Sequence, residues 1–294
     1  MRNVMQHVTV LSAGGVFSIT VNSGANGAFN IPTSGTGYDY EVNTSDGQNI
    51  SNNTGSLNVI FPDVDTIYTI NISGSFPSIF INNVSLNNTK FLTIENFGIY
   101  GIASTQQLSS FFGSINLVVN AVDNGNFGDV LNFTFAWRNC LSLTSFPLLD
   151  VSSGTNFQSC WRNCTSLTSF PLLDVSSGTN FFQTWFSCSS LTSFPLLDVS
   201  SGTNFSQTWE GCTSLTTFPS NFFDNCLATI FTDAFLNTAL TQTSIDNILV
   251  SIESNTTSSG TFNQSGGSAP SATGEAAITD MRSRGWTITV TGGF

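Results

Sequence analysis

Apolar positions along this chain follow two different rhythms. Over residues 8–75 they recur in short segments: Val16–Val21, Ala28–Ile31, Tyr38–Val42, Leu57–Phe61 and Thr66–Ile72 alternate or are β-rich, and Gly, Ser, Asn and Pro separate them. Five strands in that length predict a small β-sandwich. Further along, the pattern repeats with a long period. The block SLTSFPLLDVSSGTNF occupies Ser142–Phe157 and returns unchanged at Ser166–Phe181 and Ser190–Phe205, a period of 24 residues. The eight residues between copies vary: QSCWRNCT at 158–165, FQTWFSCS at 182–189 and SQTWEGCT at 206–213. A Trp column (Trp137, Trp161, Trp185, Trp209) and a Cys column (Cys140, Cys164, Cys188, Cys212) run through the units. Degenerate copies at Phe111–Ser114 and Phe231–Thr238 extend the pattern to about six turns over residues 105–240.

A 24-residue unit cannot close a core alone, but stacked units bury a continuous one. The repeat therefore predicts a right-handed solenoid with its Trp and Cys columns inside. Each unit reads as a β segment, Leu-Thr-Ser-Phe-Pro-Leu-Leu, then an Asp-Val-Ser-Ser-Gly-Thr-Asn turn, then Phe-x-x-x-Trp-x-x-Cys. Phe157 to Trp161 is i,i+4 and Trp161 to Cys164 is i,i+3, which predicts a helical turn. Pro147, Pro171 and Pro195 stop or bend the strand. The expected cross-section has a sheet on one side and short helical turns on the other.

The pattern changes at the far end. Apolar residues at 245, 248, 249 and 252 predict an amphipathic helix over Thr243–Glu253 with a Thr or Ser N-cap. A Ser/Gly-rich loop, Ser254–Pro270, leads to a second helix ending at Gly285 and a last strand, Trp286–Val290. Residues 76–110, with Ile79-Phe-Ile and Leu92-Thr-Ile, read as a lead-in cap. The fold class is thus mainly β with short helices. Residues 1–75 form the sandwich, 76–240 the solenoid with its lead-in cap, and 241–294 a C-terminal capping region of helix and strand.

Composition narrows the function. Ser, Thr and Asn total 110 of 294 residues, charged residues are only 8%, and mean hydropathy is still +0.14. Neutral polar residues cover this surface, while 40% apolar content and 27 Phe supply a core. The formal net charge is −12, and the cations Arg2, Lys90, Arg138, Arg162, Arg282 and Arg284 are scattered, which argues against nucleic acid as a partner. His7 is the one histidine, so most acid–base enzymology is excluded. The run Val8–Val21 behind Arg2 imitates a secretory signal, but Ser12, Gly14, Gly15 and Ser18 interrupt it. It reads as a strand, not a signal, and no apolar run is long enough for a membrane span.

The cysteine column invites a disulfide or zinc reading. Equivalent residues on adjacent turns point the same way about 4.8 Å apart, which does not suit the crossed geometry of a disulfide. Cys160 and Cys164 fit Cys-x-x-x-Cys, yet Cys160 shares its column with Ala136, Thr184, Thr208 and Ala234. The thiols read as buried small hydrophobes. The column Asp150, Asp174, Asp198 places carboxylates near the separation of a retaining glycosidase. Catalysis needs carboxylates in unlike surroundings, whereas these sit in identical sixteen-residue blocks. They read as turn caps, with a cation site on the same column left open. The Asn-x-Ser/Thr sequons arise from composition. No catalytic residue, metal ligand or cofactor is assigned.

These residues carry a family resemblance. The unit Phe-x-x-x-Trp/Phe-x-x-Cys-x-Ser-Leu-Thr-Ser-Phe-Pro resembles the BspA-like leucine-rich repeats of bacterial and phage surface proteins. Phe29–Val42 through Tyr68–Pro77 is similar to the PKD-like sandwich that often precedes such repeats. The tail resembles them too, with Gln242-Thr-Ser-Ile-Asp-Asn-Ile-Leu-Val, Ala269-Pro-Ser-Ala-Thr-Gly and Arg284-Gly-Trp-Thr-Ile-Thr-Val. Where the family tends to show Asp-Trp-Gly-Asp-Gly, this chain has Asn43-Thr-Ser-Asp46-Gly47, without the leading acidic residue. The resemblance implies recognition or adhesion on an outer surface, not catalysis. It points to a phage tail fibre, spike or capsid-decorating protein on the virion surface. The alternatives are a bacterial cell-surface adhesin and, more remotely, a polysaccharide depolymerase. Expected partners are other virion proteins, a host receptor or a glycan, with homo-oligomerisation open.

Variation inside the repeat locates the partner face. The residue after each Trp reads Arg138, Arg162, Phe186, Glu210, and the residue after each repeat Phe reads Gln158, Phe182, Ser206. A core column cannot change from basic to apolar to acidic, because an unpaired buried charge costs several kcal/mol. These columns are expected to face solvent, with Phe186 an exposed anchor between Arg162 and Glu210.

Overall fold

The computed structural model describes residues 15–33, 37–76, 89–97, 111, 113–121 and 127–294. It is mainly β, with two helices and no closed barrel among the described residues. The expectations for His7, the Val8–Gly14 part of the signal-like run and Ile79-Phe-Ile lie outside the described residues.

The front of the chain follows its alternation. β1 (Phe17–Asn22) buries Phe17, Ile19 and Val21. β2 (Ala28–Ile31), β3 (Asp39–Thr44), β4 (Asn49–Asn53), β5 (Leu57–Ile60) and β6 (Ile67–Ser75) follow, then β7 (Phe91–Asn96) and β8 (Val118–Val119). They form a six-stranded sheet, β4-β3-β6-β1-β7-β8, and a two-stranded sheet, β2-β5. The two sheets share a core in which Phe29 lies 6.3 Å from Phe91. β4, Asn-Ile-Ser-Asn-Asn, is almost wholly polar and carries no apolar alternation, so the pattern did not predict it. Its backbone pairing with β3 makes it a polar edge, which discourages further strand addition.

β7 is where the sheet turns into the stack. It pairs antiparallel with β1 on one side and parallel with β8 on the other, in the register Thr93↔Val118. From there each coil lies parallel on the last. Asn132, Asn156, Asn180, Asn204 and Ile230 make successive parallel bridges. The Trp rings of the four central coils stack at 5.6, 5.7 and 5.6 Å. Each is fully buried and meets a Phe edge-on, as Trp185 meets Phe194 at 4.7 Å. All six cysteines are free and buried, and Cys164, Cys188 and Cys212 donate to the Trp carbonyl one coil back at 3.1–3.2 Å.

The cross-section differs from the sequence expectation. Phe-x-x-x-Trp-x-x-Cys is not helical. Every second amide crosses to the next coil: Phe157 to Asn180 O, Ser159 to Phe182 O, Trp161 to Thr184 O and Asn163 to Phe186 O, at 2.8–2.9 Å. The alternate amides close tight turns within the coil, Cys160 to Phe157 O and Cys164 to Trp161 O. Ser159, Asn163, Gln183, Ser187, Gln207 and Gly211 all have positive φ, which a right-handed helix cannot contain. The i,i+4 spacing thus reflects two tight turns that return Phe157 and Trp161 to the same inner face. Conversely, Leu-Thr-Ser-Phe-Pro-Leu-Leu is an irregular limb with sparse inter-coil bonds such as Thr168 N to Thr144 O, because proline breaks any ladder there. The ladder lies on the segment expected to be helical, and the expected β segment is the irregular limb.

Hydroxyl side chains reinforce inter-coil backbone bonds along the stack, and Asn side chains supply acceptors to amides within the coil. Thr155, Thr179 and Thr203 donate to the carbonyl 24 residues earlier at 2.9–3.1 Å. Asn132, Asn156, Asn180 and Asn204 each accept the amide two residues on.

The ladder continues beyond the exact repeats. β9 (Ile230–Phe235), β10 (Thr261–Gln264) and β11 (Thr287–Thr289) form a parallel sheet, order β11-β10-β9, and Phe205 N bonds Ile230 O. The connections are α1 (Gln242–Glu253) and α2 (Ala272–Ser283), capped by Thr241 and Ser271. Residues 241–294 therefore add two further rungs, with helices in place of the irregular limb. Gly285, at φ +91°, ends the second helix before β11.

Candidate functional site

The ladder face carries the varying columns. On it the residue after each Phe (Gln158, Phe182, Ser206) and the residue after each Trp (Arg138, Arg162, Phe186, Glu210) are all half-buried. They are less open than solvent-facing positions were expected to be, and Phe186 is not a bare anchor. The reason is spacing. Coils less than 6 Å apart are closer than these side chains are long, so each lies over its neighbour's.

The structure brings three of the predicted residues into one chain of contacts. The Arg162 guanidinium stacks over the Phe186 ring at 4.5 Å, within cation–π range, and its Nη1 donates to Gln183 Oε1. Gln183 Nε2 donates to Gln207 Oε1 at 2.9 Å, and Gln207 Nε2 to Glu210 Oε2 at 2.7 Å. Arg138 stacks on Phe135 at 5.2 Å, one coil away. Gln158, Phe182 and Ser206 sit in the adjacent column, their amides bound by Asn156, Asn180 and Asn204. Sequence reasoning missed Phe135, Gln183, Gln207 and Asp233, which with Ser159 form a column three residues ahead of the Arg/Arg/Phe/Glu column. Two of them, Gln183 and Gln207, lie inside the varying octets, and that was the available signal.

Charge changes sign along this face. Arg138 and Arg162 occupy successive coils of the column behind the Trp, Phe186, Glu210 and Leu236 continue it, and Asp233 lies in the neighbouring column beyond Gln207. Burial, and then the charge of Arg162, disfavour the protonated form of Arg138. Burial also raises Glu210, with Asp233 adding to the shift, while the Gln207 hydrogen bond and Arg162 oppose it.

The stack bends slightly toward this face. Phe rings beside the ladder (Phe133, Phe157, Phe181, Phe205) are 5.2–5.6 Å apart, whereas those on the irregular limb (Phe146, Phe170, Phe194, Phe218) are 5.8–6.2 Å apart. The limb carries a different array. Leu148, Leu172 and Leu196 are more than half exposed, beside Asp150, Asp174 and Asp198. Each Asp Oδ1 accepts from the Ser two residues on, hydroxyl at 2.7 Å and amide at 3.0–3.2 Å. That is turn capping, as the repeated context implied. Comparison with protein-family models, curated proteins and solved structures finds no match.

Proposed function

We propose that this chain is a non-enzymatic surface module of a phage virion, a tail fibre, spike or capsid-decorating protein, built as a BspA-like leucine-rich-repeat solenoid behind a PKD-like sandwich. The observation that carries the reading is the division of labour within each coil. The buried columns are nearly invariant, whereas the half-buried columns on the hydrogen-bonded side run from basic through aromatic to acidic. A stack of coils curved toward its ladder presents an extended surface suited to a macromolecular partner. Lone Asp residues in identical turn-capping surroundings support a binding role over catalysis. The partner is a neighbouring virion protein, a host receptor or a glycan.

The test uses Phe186→Ser combined with Arg162→Glu in the full chain, with circular dichroism to verify folding. The folded double variant is expected to lose incorporation into particles or attachment to host cells. Normal assembly and adsorption would remove this face as the interface. Recovery of the native protein on the cell envelope, never with particles, would favour a bacterial adhesin.

A further inference from the structure

A row of apolar side chains runs along the irregular limb. Leu148, Leu172 and Leu196 are more than half exposed, and each is the central residue of a three-residue turn closed by the next amide. Leu149 N donates to Pro147 O, Leu173 N to Pro171 O and Leu197 N to Pro195 O, at 3.0–3.1 Å. Identical turns set the three side chains at the spacing of the Phe rings beneath, 6.2 and 5.8 Å. One buried Leu further along each coil, Asp150, Asp174 and Asp198 form an exposed row beside them. Scattered surface leucines are ordinary, but three in line with acids along one flank make a stripe. We propose that this stripe docks a basic amphipathic helix of a partner protein. Apolar residues of that helix at i, i+4 and i+8 pack along the leucines, and Lys or Arg in the neighbouring row pairs with the aspartates.

Spacing, length and charge select this occupant. Four residues of α-helix rise about 6.0 Å, so the Leu row fits as a ridge between two i,i+4 rows. An extended strand repeats at about 6.6–6.8 Å and falls out of step, and the proline-broken limb offers it no ladder. The row ends after three coils: 24 residues beyond Leu196 and Asp198 stand Ser220 and the buried Phe222. Each Asp Oδ1 accepts from its own Ser, which leaves Oδ2 outside the cap. Among the described residues the ion pairs are those of Arg284 with Glu253 and Asp280, so the aspartates have no cation of their own. A second copy does not supply the helix. α1 carries no cation, and the one cation of α2, Arg282, is engaged with Ile288 O and Phe294 O. An anionic lipid surface is repelled by the same acidic row.

This face is separate from the ladder face, and its failure leaves the particle-attachment test standing.

The probe is a labelled, Ala-rich synthetic helix of about eighteen residues, with Leu at every fourth position and Lys in the two flanking rows. A second peptide replaces each Lys with Glu. Binding to the full chain is read by fluorescence anisotropy at about 0.15 M salt, with circular dichroism to verify folding. Wild type is expected to bind the Lys peptide at about 100 μM or tighter and the Glu peptide at least about tenfold more weakly. Leu172→Ser and, separately, Asp150→Asn with Asp174→Asn are each expected to weaken Lys-peptide binding about tenfold. Asn keeps an Oδ1 for the Ser cap. Asp39→Asn with Glu41→Gln removes the same charge from exposed positions on β3, and Phe186→Ser alters the ladder face; both are expected to bind as wild type does. Binding weaker than about 100 μM, equal binding of the two peptides, no effect of Leu172→Ser, or an equal loss in the β3 variant would each overturn the proposal. So would adsorption of wild type to phosphatidylcholine vesicles that Leu172→Ser abolishes, which would assign the row to a lipid surface.

Discussion

Trp185→Ala removes a ring from the middle of the stack. Trp185 is fully buried, 5.7 Å from Trp161 and 5.6 Å from Trp209, with Phe170 and Phe194 edge-on at 5.1 and 4.7 Å. Lost transfer energy and the cavity together cost about 3–5 kcal/mol for such a truncation. The upper end is expected here, because each lost aromatic pair adds about 0.5–1.5 kcal/mol. A coil touches only its neighbours, so one deletion weakens both interfaces. Urea unfolding followed by circular dichroism and the remaining tryptophans is the assay, with a lower midpoint and an unchanged m-value expected. Phe186→Ala, on the same coil but half-buried, should cost about 1 kcal/mol or less, mostly its contact with Arg162. A loss for Trp185→Ala below about 1.5 kcal/mol, or no larger than for Phe186→Ala, would refute the claim that the Trp column holds the coils together.

Burial raises the thiols, Cys226 to about 11 and Cys140 further. None of the six should be alkylated in the native protein at pH 8, all should react in denaturant, and Cys226 should react first as pH rises. Mass spectrometry showing rapid native modification of Cys164 or Cys188 would contradict their placement. A Cβ at Gly178 would sit 2.5 Å from Phe181 Cζ and 2.9 Å from Val175 O, so Gly178→Ala should cost about 1–3 kcal/mol in the same urea assay. A neutral result would mean that the Phe181 ring does not rest on that glycine. Asp198 is held below the usual carboxylate range by the Ser200 hydroxyl and amide, against a small opposing effect of burial. A depressed folded pKa stabilises above the unfolded value of about 3.9, and the effect is lost as pH falls through the folded value. Asp198→Ala should therefore lower stability at pH 7 by about 0.5–1 kcal/mol and converge with wild type in strong acid. A constant gap at all pH values would show that the carboxylate charge plays no part.

The repeat made the stack legible, since a 24-residue recurrence of Phe, Trp and Cys has few other packing solutions. It also identified the inner columns and the Asp caps. It did not reveal which limb carries the ladder. Phe157, Trp161 and Cys164 match the period of a helix, and only backbone torsions at Ser159 and Asn163 distinguish two tight turns from one helical turn. Ser159 announces nothing, but the Asn163 column also holds Asn139 and Gly211, residues that favour positive φ, and that was the available signal. β4 was silent because edge strands need no apolar face. The candidate surface was half legible. Varying columns marked Arg162, Phe186 and Glu210, but their link through Gln183 and Gln207 depends on inter-coil spacing, which no single repeat encodes.

If the molecule is a stack of interchangeable coils presenting one ordered face, whole coils can be removed and partial ones cannot. Deleting residues 166–189 takes out one 24-residue period and rejoins Thr165 to Ser190, an identical junction. The account predicts a shortened protein that keeps its circular dichroism signature and cooperative unfolding, while deletion of residues 166–185 leaves the ladder out of register and the chain unfolded. A 24-residue deletion that unfolds the chain as completely as the 20-residue one would contradict it.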